Sequence, residues 1–102
     1  MPTNYAQRVL DRMTRALPGN DPQLNVLYAL LAMTTGTQTT LRDVHEAWAL
    51  WRTMTNPGHK SLVPFDELSY DVRELDRPYC EAIIEVAREA HLDELRRQLG
   101  GR

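Results

Sequence analysis

The 102-residue sequence has little cysteine, and its single thiol, Cys80, cannot form an internal disulfide. Its three histidines do not cluster with that cysteine at the spacing of a zinc site. Disulfides and metals, which often stabilise small domains, are therefore not expected, and no cofactor is predicted. Stability has to come from packed apolar faces, and a hydrophobic content of 42% is ordinary for a globular chain.

Long apolar runs and an excess of positive charge are also missing. No stretch approaches the roughly 20 apolar residues of a membrane helix, and the first residues lack the basic and then apolar order of a signal peptide. Twelve basic against 14 acidic side chains give a net charge of -2, without the basic stripe that binds phosphates. We expect a soluble cytoplasmic protein with neither a membrane nor a nucleic-acid partner.

The motifs of common catalysts are absent as well. The sequence has no Gly-x-Ser-x-Gly elbow, no phosphate-cradling glycine loop and no dinucleotide fingerprint. His45 and Glu46 do not continue to the second histidine of a helical zinc-protease motif. The acidic residues between Asp66 and Asp76 are typical of helix caps and solvated faces. We therefore predict a protein without enzymatic activity, catalytic residues or a metal site.

Apolar residues at helical spacing are abundant. Intervals of three and four residues predict four main helices and one short helix. The main helices are expected over residues 4–17, 23–33, 41–54 and 79–99, and the short helix over residues 69–75. The second helix is apolar around most of its circumference, so we expect it to be central or covered on two sides.

Capping residues indicate where these helices begin. Asp21 precedes a proline, and Thr40 precedes Asp43 by three residues, as in a capping box. Pro78 is compatible with a helix only in its first turn, which predicts a break near Asp76.

These elements predict an all-α fold, a single compact bundle of four main helices plus a short helix, in one domain over residues 1–102. It comprises an N-terminal helical pair, 1–34, and a motif region, 41–84. The run Leu62-Val63-Pro64-Phe65 is interrupted by proline, and we expect it to be extended and packed across the core.

Most of the aromatic residues lie close together in the sequence. Five of the seven are Trp48, Trp51, Phe65, Tyr70 and Tyr79. Either these rings form a core, or some line a pocket to which Arg52, Lys60 or Arg73 supplies charge. An aromatic wall beside cations suits a planar anionic ligand such as a nucleotide. The candidate ligand-binding residues are His45, Trp48, Arg52, Lys60, Phe65 and Tyr70.

The last helix carries more apolar surface than a four-helix domain of this size needs. Its apolar stripe continues to Leu92, Leu95 and Leu99. Such a surface is typical of an interface between chains, so a homodimer through these leucines is a possible assembly.

Three motifs between residues 41 and 84 are distinctive. They are Val44-His45-Glu46-Ala47-Trp48, then His59-Lys60-Ser61-Leu62-Val63-Pro64-Phe65-Asp66-Glu67-Leu68-Ser69, and finally Leu75-Asp76-Arg77. Together they resemble the ryanodine-receptor repeat, or RyR domain. The run from Thr39 to Trp48 is also similar to small proteins of phages that infect actinobacteria.

The resemblance implies an α-helical module in which the Pro-Phe-Asp segment braces two helices. RyR-like domains of bacteria and phages have been suggested to bind nucleotide-type ligands. We expect a small non-catalytic phage-type protein that acts by binding, with a host protein in the bacterial cytoplasm as its partner. The alternative is a module that binds or senses a nucleotide-type ligand through the aromatic-rich region.

Overall fold

The computed structural model describes residues 4–100, and within that range the regular secondary structure is entirely helical. Five α-helices and two 3₁₀ turns follow one another: α1 Tyr5–Ala16, α2 Pro22–Thr34, a turn at Gly36–Gln38, α3 Leu41–Thr55, a turn at Phe65–Glu67, α4 Tyr70–Glu74 and α5 Arg77–Gly100. The all-α prediction of four main helices and one short helix is confirmed. None of the helices in this range has the length and apolar character needed to cross a bilayer.

Local hydrogen bonds start the helices at the predicted residues. The Asp21 side chain accepts the amide of Gln23 at 2.8 Å, and Pro22 occupies the first turn of α2. The Thr40 hydroxyl accepts the amide of Asp43 at 3.2 Å, and the Asp43 carboxylate accepts the amide of Thr40 at 2.9 Å. These bonds satisfy backbone N–H groups that have no partner inside the helix.

The break before α5 also lies where the proline predicts it. Because α4 ends at Glu74 and α5 begins at Arg77, Pro78 lies in a first turn where its missing N–H costs nothing. The carbonyl of Asp76 accepts the amide of Cys80 at 2.9 Å, which is the first helical bond of α5. Asp76 is thereby held at the corner between α4 and α5.

The core forms where α1, α2, α3 and α5 meet. Its most deeply buried side chains are Tyr28, Met13, Ile83, Val44 and Asn25. Cys80 is buried near them, its thiol lies 3.4 Å from the carbonyl oxygen of Thr39, and burial raises the pKa of that thiol. The single cysteine is therefore a small core residue.

α2 is less covered than its apolar sequence predicts. Leu24 and Tyr28 are buried, but Val26 and Leu30 on the opposite side are 52% and 53% exposed. Met33 continues that exposed face one turn later. α2 nevertheless packs against α1, α3 and α5, as expected of a central helix, and only the face with Val26 and Leu30 is left uncovered.

The segment after α3 does not cross the core. Residues 61–69 contain no buried residue, and part of them forms the 3₁₀ turn Phe65–Glu67. The segment instead lies against α3, where the imidazole of His45 bonds to the carbonyl of Val63. The prediction of an extended Leu-Val-Pro-Phe segment packed across the core is not confirmed.

The apolar residues of α5 form two faces rather than one stripe. Val86 and Ala90 pack into the core. Leu92 follows Ala90 by two residues, which at 3.6 residues per turn places it about 200° around the helix. Leu92, Leu95 and Leu99 lie on this second face, and all three are exposed.

Candidate functional site

A cleft of about 490 Å³ lies between α2, α3 and the corner where α4 meets α5. We call it the aromatic cleft because six of the residues that line it carry rings. These are Tyr28, His45, Trp48, Trp51, His59 and Tyr79. The volume lies within the range of about 300–1,000 Å³ that is usual for small-molecule sites.

One wall of the cleft comes from α3. His45 and Trp48 are three residues apart and Arg52 follows four residues after Trp48, so helical geometry places their side chains on one face. Trp48 and Trp51 pack partly against the core and keep part of their ring surface open. Each tryptophan therefore packs on the core with one part of its ring and lines the cleft with another part.

The His45 ring is buried and held on several sides. Its Nε2 donates to the carbonyl of Val63 at 2.8 Å, since a carbonyl oxygen can only accept. It stacks on Trp48 with ring centroids 5.7 Å apart and meets Phe65 at 6.1 Å. These contacts fix the orientation of the imidazole at the cleft.

The turn after α3 brings a second imidazole to the same wall. His59 meets the Trp48 ring edge-on, with centroids 5.1 Å apart. Its Nδ1 accepts the amide of Ser61 at 3.0 Å, which leaves the ring proton to Nε2 when the ring is neutral. The turn is thus tied to the α3 wall.

Asp76 is the acidic residue among those that line the cleft. It is half-buried, and burial raises its pKa, while the nearby His45 acts in the opposite direction. Burial raises the pKa of the Tyr28 hydroxyl well above its usual range, and the charge of Asp76 raises it further. The Asp76 carboxylate therefore lies close to both the Tyr28 hydroxyl and the His45 ring.

The carboxylate of Asp76 has no protein partner in the part of the chain that the structure describes. No hydrogen bond reaches its side-chain oxygens, and no ion pair forms within 4.0 Å of them. A carboxylate has two oxygens that each accept hydrogen bonds. The cleft therefore contains a pair of unused acceptors.

Unused donors lie on the α3 wall. The indole Nε1 of Trp51 and the Nε of Arg52 are buried without a hydrogen-bond partner among the described residues. The Arg52 guanidinium lies 4.6 Å from the centre of the Trp51 ring, and its Nη1 donates to the Thr55 hydroxyl at 3.3 Å. A buried donor without a partner costs about 1–3 kcal/mol, and because the protein covers these two atoms, a ligand oxygen reaches them only if the α3 wall moves.

The structure brings three of the six candidate ligand-binding residues together in the cleft. The three are His45, Trp48 and Arg52. Lys60 is exposed and does not line the cleft, and Tyr70 is 73% exposed. Phe65 lies outside the cleft lining, between the guanidinium groups of Arg42 and Arg73 at 5.0 and 4.7 Å.

Sequence reasoning missed Asp76 and Tyr28 as cleft residues. The sequence predicts a helix cap or a solvated acid for Asp76, and the signal that sets it apart is its place two residues before Pro78. Tyr28 is a hydroxyl-bearing residue in a mostly apolar helix, which is a weak signal for a polar contact across the core.

A larger groove of about 840 Å³ lies between α1, α2 and α5. Arg12, which lines it, is already paired with Glu89 at 2.7 Å and with Asp93. Arg12 therefore has less to offer an anionic ligand than Arg52 of the aromatic cleft, which has no ion pair with a carboxylate of the described chain. Between residues 4 and 100 we find no group of three or more His, Cys, Asp or Glu side chains that could hold a metal ion.

Comparison with known proteins identifies one family. The family model described as Domain of unknown function (DUF7701) matches residues 4–88. That range contains every residue that lines the aromatic cleft, whereas Leu92, Leu95 and Leu99 lie beyond it. No curated protein and no solved structure matches the sequence.

Proposed function

The chain belongs to the DUF7701 family, and from the geometry of its aromatic cleft we propose that it binds a small nucleotide-type ligand. The observation that carries this proposal is the combination of open aromatic rings, a cationic side chain and an unpaired carboxylate in one cleft of about 490 Å³. A nucleotide-type ligand complements all three features: its planar ring matches the aromatic rings, its N–H donors match the carboxylate, and its anionic group matches the cation.

The rings supply the surface for the planar part of the ligand. Trp48, Trp51 and Tyr79 line the cleft and are only partly buried. Stacking of a base on an aromatic side chain contributes about 1–3 kcal/mol. Every base has a flat face that can stack in this way, so the rings contribute affinity for a base but do not select one base over another.

Arg52 supplies the charge for the anionic part. Its guanidinium is held by the Trp51 ring and by a neutral hydroxyl rather than by a carboxylate. A phosphate or carboxylate that enters the cleft accepts from this cation without having to break an ion pair. Arginine suits such groups because its planar fork donates two parallel hydrogen bonds.

A thermal-shift and calorimetric titration with nucleoside monophosphates tests the proposal. A ligand that binds only the folded state raises Tm, because about 100 times Kd of ligand adds about 2.7 kcal/mol of stability. Arg52→Gln should weaken binding, whereas the matched control Arg96→Gln, an exposed arginine late in α5, should not. Unchanged Tm with every nucleotide, and no heat of binding, would refute the proposal.

Binding to another protein is the second candidate function. It is favoured by the exposed apolar side chains of Leu92, Leu95 and Leu99 in α5, because contiguous apolar surface of this kind is typical of interfaces. A second copy of the chain is the first partner to test. A host protein of the bacterial cytoplasm is the partner that the phage-type sequence pattern predicts.

The RyR-like motif, the phage origin, the cytoplasmic location and the lack of catalysis stay predictions from the sequence. The RyR resemblance favours the same ligand class as the cleft does, since nucleotide-type ligands are suggested for such domains. The bracing role that it implies for the Pro-Phe-Asp segment fits the contact between Phe65 and the His45 ring.

A further inference from the structure

Asp76 is the acidic residue of the cleft lining, and the described part of the protein leaves the hydrogen-bonding capacity of its carboxylate unused. Its carboxylate lines the cleft without a hydrogen bond or ion pair among the described residues. The groups that lie close to it belong to two helices: Tyr28 from α2 and His45 from α3. A ligand that donates hydrogen bonds to this carboxylate therefore meets no competing partner.

The chemistry of the cleft narrows the kind of donor that fits. An anionic edge is repelled by Asp76, and a simple organic cation is disfavoured because Arg52 lines the same cleft. The rings of His45, Trp48 and His59 pack on one another instead of forming an open box around a cation. The ligand group that suits this cleft is therefore a neutral planar edge with N–H donors.

Among the common bases, guanine alone presents two adjacent donors on its pairing edge, the ring N1–H and the exocyclic 2-amino group. Adenine and cytosine place a ring acceptor beside their amino group, and that acceptor repels a carboxylate oxygen. Uracil has one N–H between two carbonyl acceptors. Hydrogen bonds to a carboxylate are shorter and about twice as strong as neutral ones. Guanine, whose pairing edge has two donors, therefore gains the most binding energy from a carboxylate.

We infer that Asp76 selects the base of the ligand by accepting N1–H and the 2-amino group of a guanine-type ring, so that guanine nucleotides bind in preference to adenine nucleotides. This inference rests on the proposed function of the cleft. Burial of Asp76 in surroundings that raise its pKa supports it, since a carboxylate without partners is costly there and two N–H donors remove that cost. Arg52 remains available for the phosphate of the same ligand.

Calorimetric titration with GMP, IMP and AMP measures this selectivity. GMP should bind about tenfold or more tightly than AMP, and IMP, which lacks only the 2-amino group, should lie between them. Equal affinities for GMP and AMP would overturn the inference and leave the proposed function intact. The absence of binding by all three nucleotides would overturn both.

An Asp76→Asn variant gives a second readout that impaired folding cannot imitate. An amide keeps one acceptor and gains one donor, which matches the ring N–H and 2-carbonyl of xanthine. The variant should lose the preference for GMP and bind XMP about tenfold or more tightly than the wild type does. The control Asp71→Asn changes an exposed acid of α4 and should leave the order of affinities unchanged. If Asp76→Asn keeps the wild-type order for GMP, AMP and XMP, the assignment of Asp76 is wrong.

Discussion

The imidazole of His45 donates from Nε2 to the backbone carbonyl of Val63 at 2.8 Å, across a sequence separation of 18 residues. This bond joins the α3 wall of the aromatic cleft to the segment that precedes the Phe65–Glu67 turn. Residues 61–69 contain no buried residue, and their other contacts with α3 include those of Phe65 with the His45 ring and of Asp66 with the exposed Arg42 guanidinium. The buried ring of His45 therefore stabilises the segment and the cleft together.

Replacing the donor while keeping a ring tests this relationship. His45→Phe should lower the free energy of unfolding by about 1–3 kcal/mol, because the Val63 carbonyl loses its partner. Urea denaturation measures the difference. The control His91→Phe changes an exposed histidine of α5 and should stay within about 0.5 kcal/mol of the wild type. Equal stability of both variants would show that the bond contributes little.

Asp76→Asn should raise Tm in the absence of ligand at pH 7. Burial in the folded protein raises the pKa of Asp76. The contribution of Asp76 to the free energy of unfolding is therefore fully present below its unfolded pKa of about 3.9, and it is lost as the pH rises through the folded pKa. Asparagine carries no charge and avoids that loss. Calorimetry should show a higher Tm for the variant than for the wild type at pH 7, and a smaller difference in Tm between them at pH 3. A lower Tm at pH 7 would contradict the burial argument.

Asp93→Asn should have the opposite pH dependence. The Arg12 guanidinium, which bonds to Asp93, lowers the pKa of that carboxyl. The ion pair therefore contributes stability above the unfolded pKa of about 3.9, and this contribution is lost as the pH falls through the folded pKa. The variant should melt below the wild type at pH 7, and the two should converge in strong acid. The control Glu94→Gln, on an exposed neighbour, should not reproduce this pattern.

Self-association through the second face of α5 is testable by sedimentation. If Leu92, Leu95 and Leu99 form an interface, the mass should rise with concentration from 11.8 kDa towards twice that value, and Leu95→Glu should abolish the rise. The control Leu50→Glu changes a similarly exposed leucine in α3 and should not. A mass of 11.8 kDa at every concentration would exclude this interface.

The helix boundaries could be predicted because the interactions that set them are local. A capping side chain such as Asp21 or Thr40 meets backbone amides two or three residues away. Pro78 excludes a continuous helix by a clash within one turn. These effects need no knowledge of the rest of the fold, so four main helices and a break near Asp76 followed from the sequence alone.

The aromatic cleft could be predicted only in part. The rings and charges selected from the sequence include His45, Trp48 and Arg52, which lie together because residues three and four apart on α3 share a helix face. Lys60, Phe65 and Tyr70 lie in turns and at a helix start, where no period relates one side chain to the next. Their positions depend on how the chain folds back over α3.

The sequence by itself determined the helical class and the helix boundaries, since these depend on backbone geometry within a few residues. The tertiary structure decided which faces are buried and which distant residues meet. It left Leu30 exposed on an apolar helix, separated Leu92 from the core face of α5, and brought Tyr28 beside Asp76. Such pairings arise from the packing of whole helices, which minimises exposed apolar surface over the entire chain and is encoded in no single stretch of it.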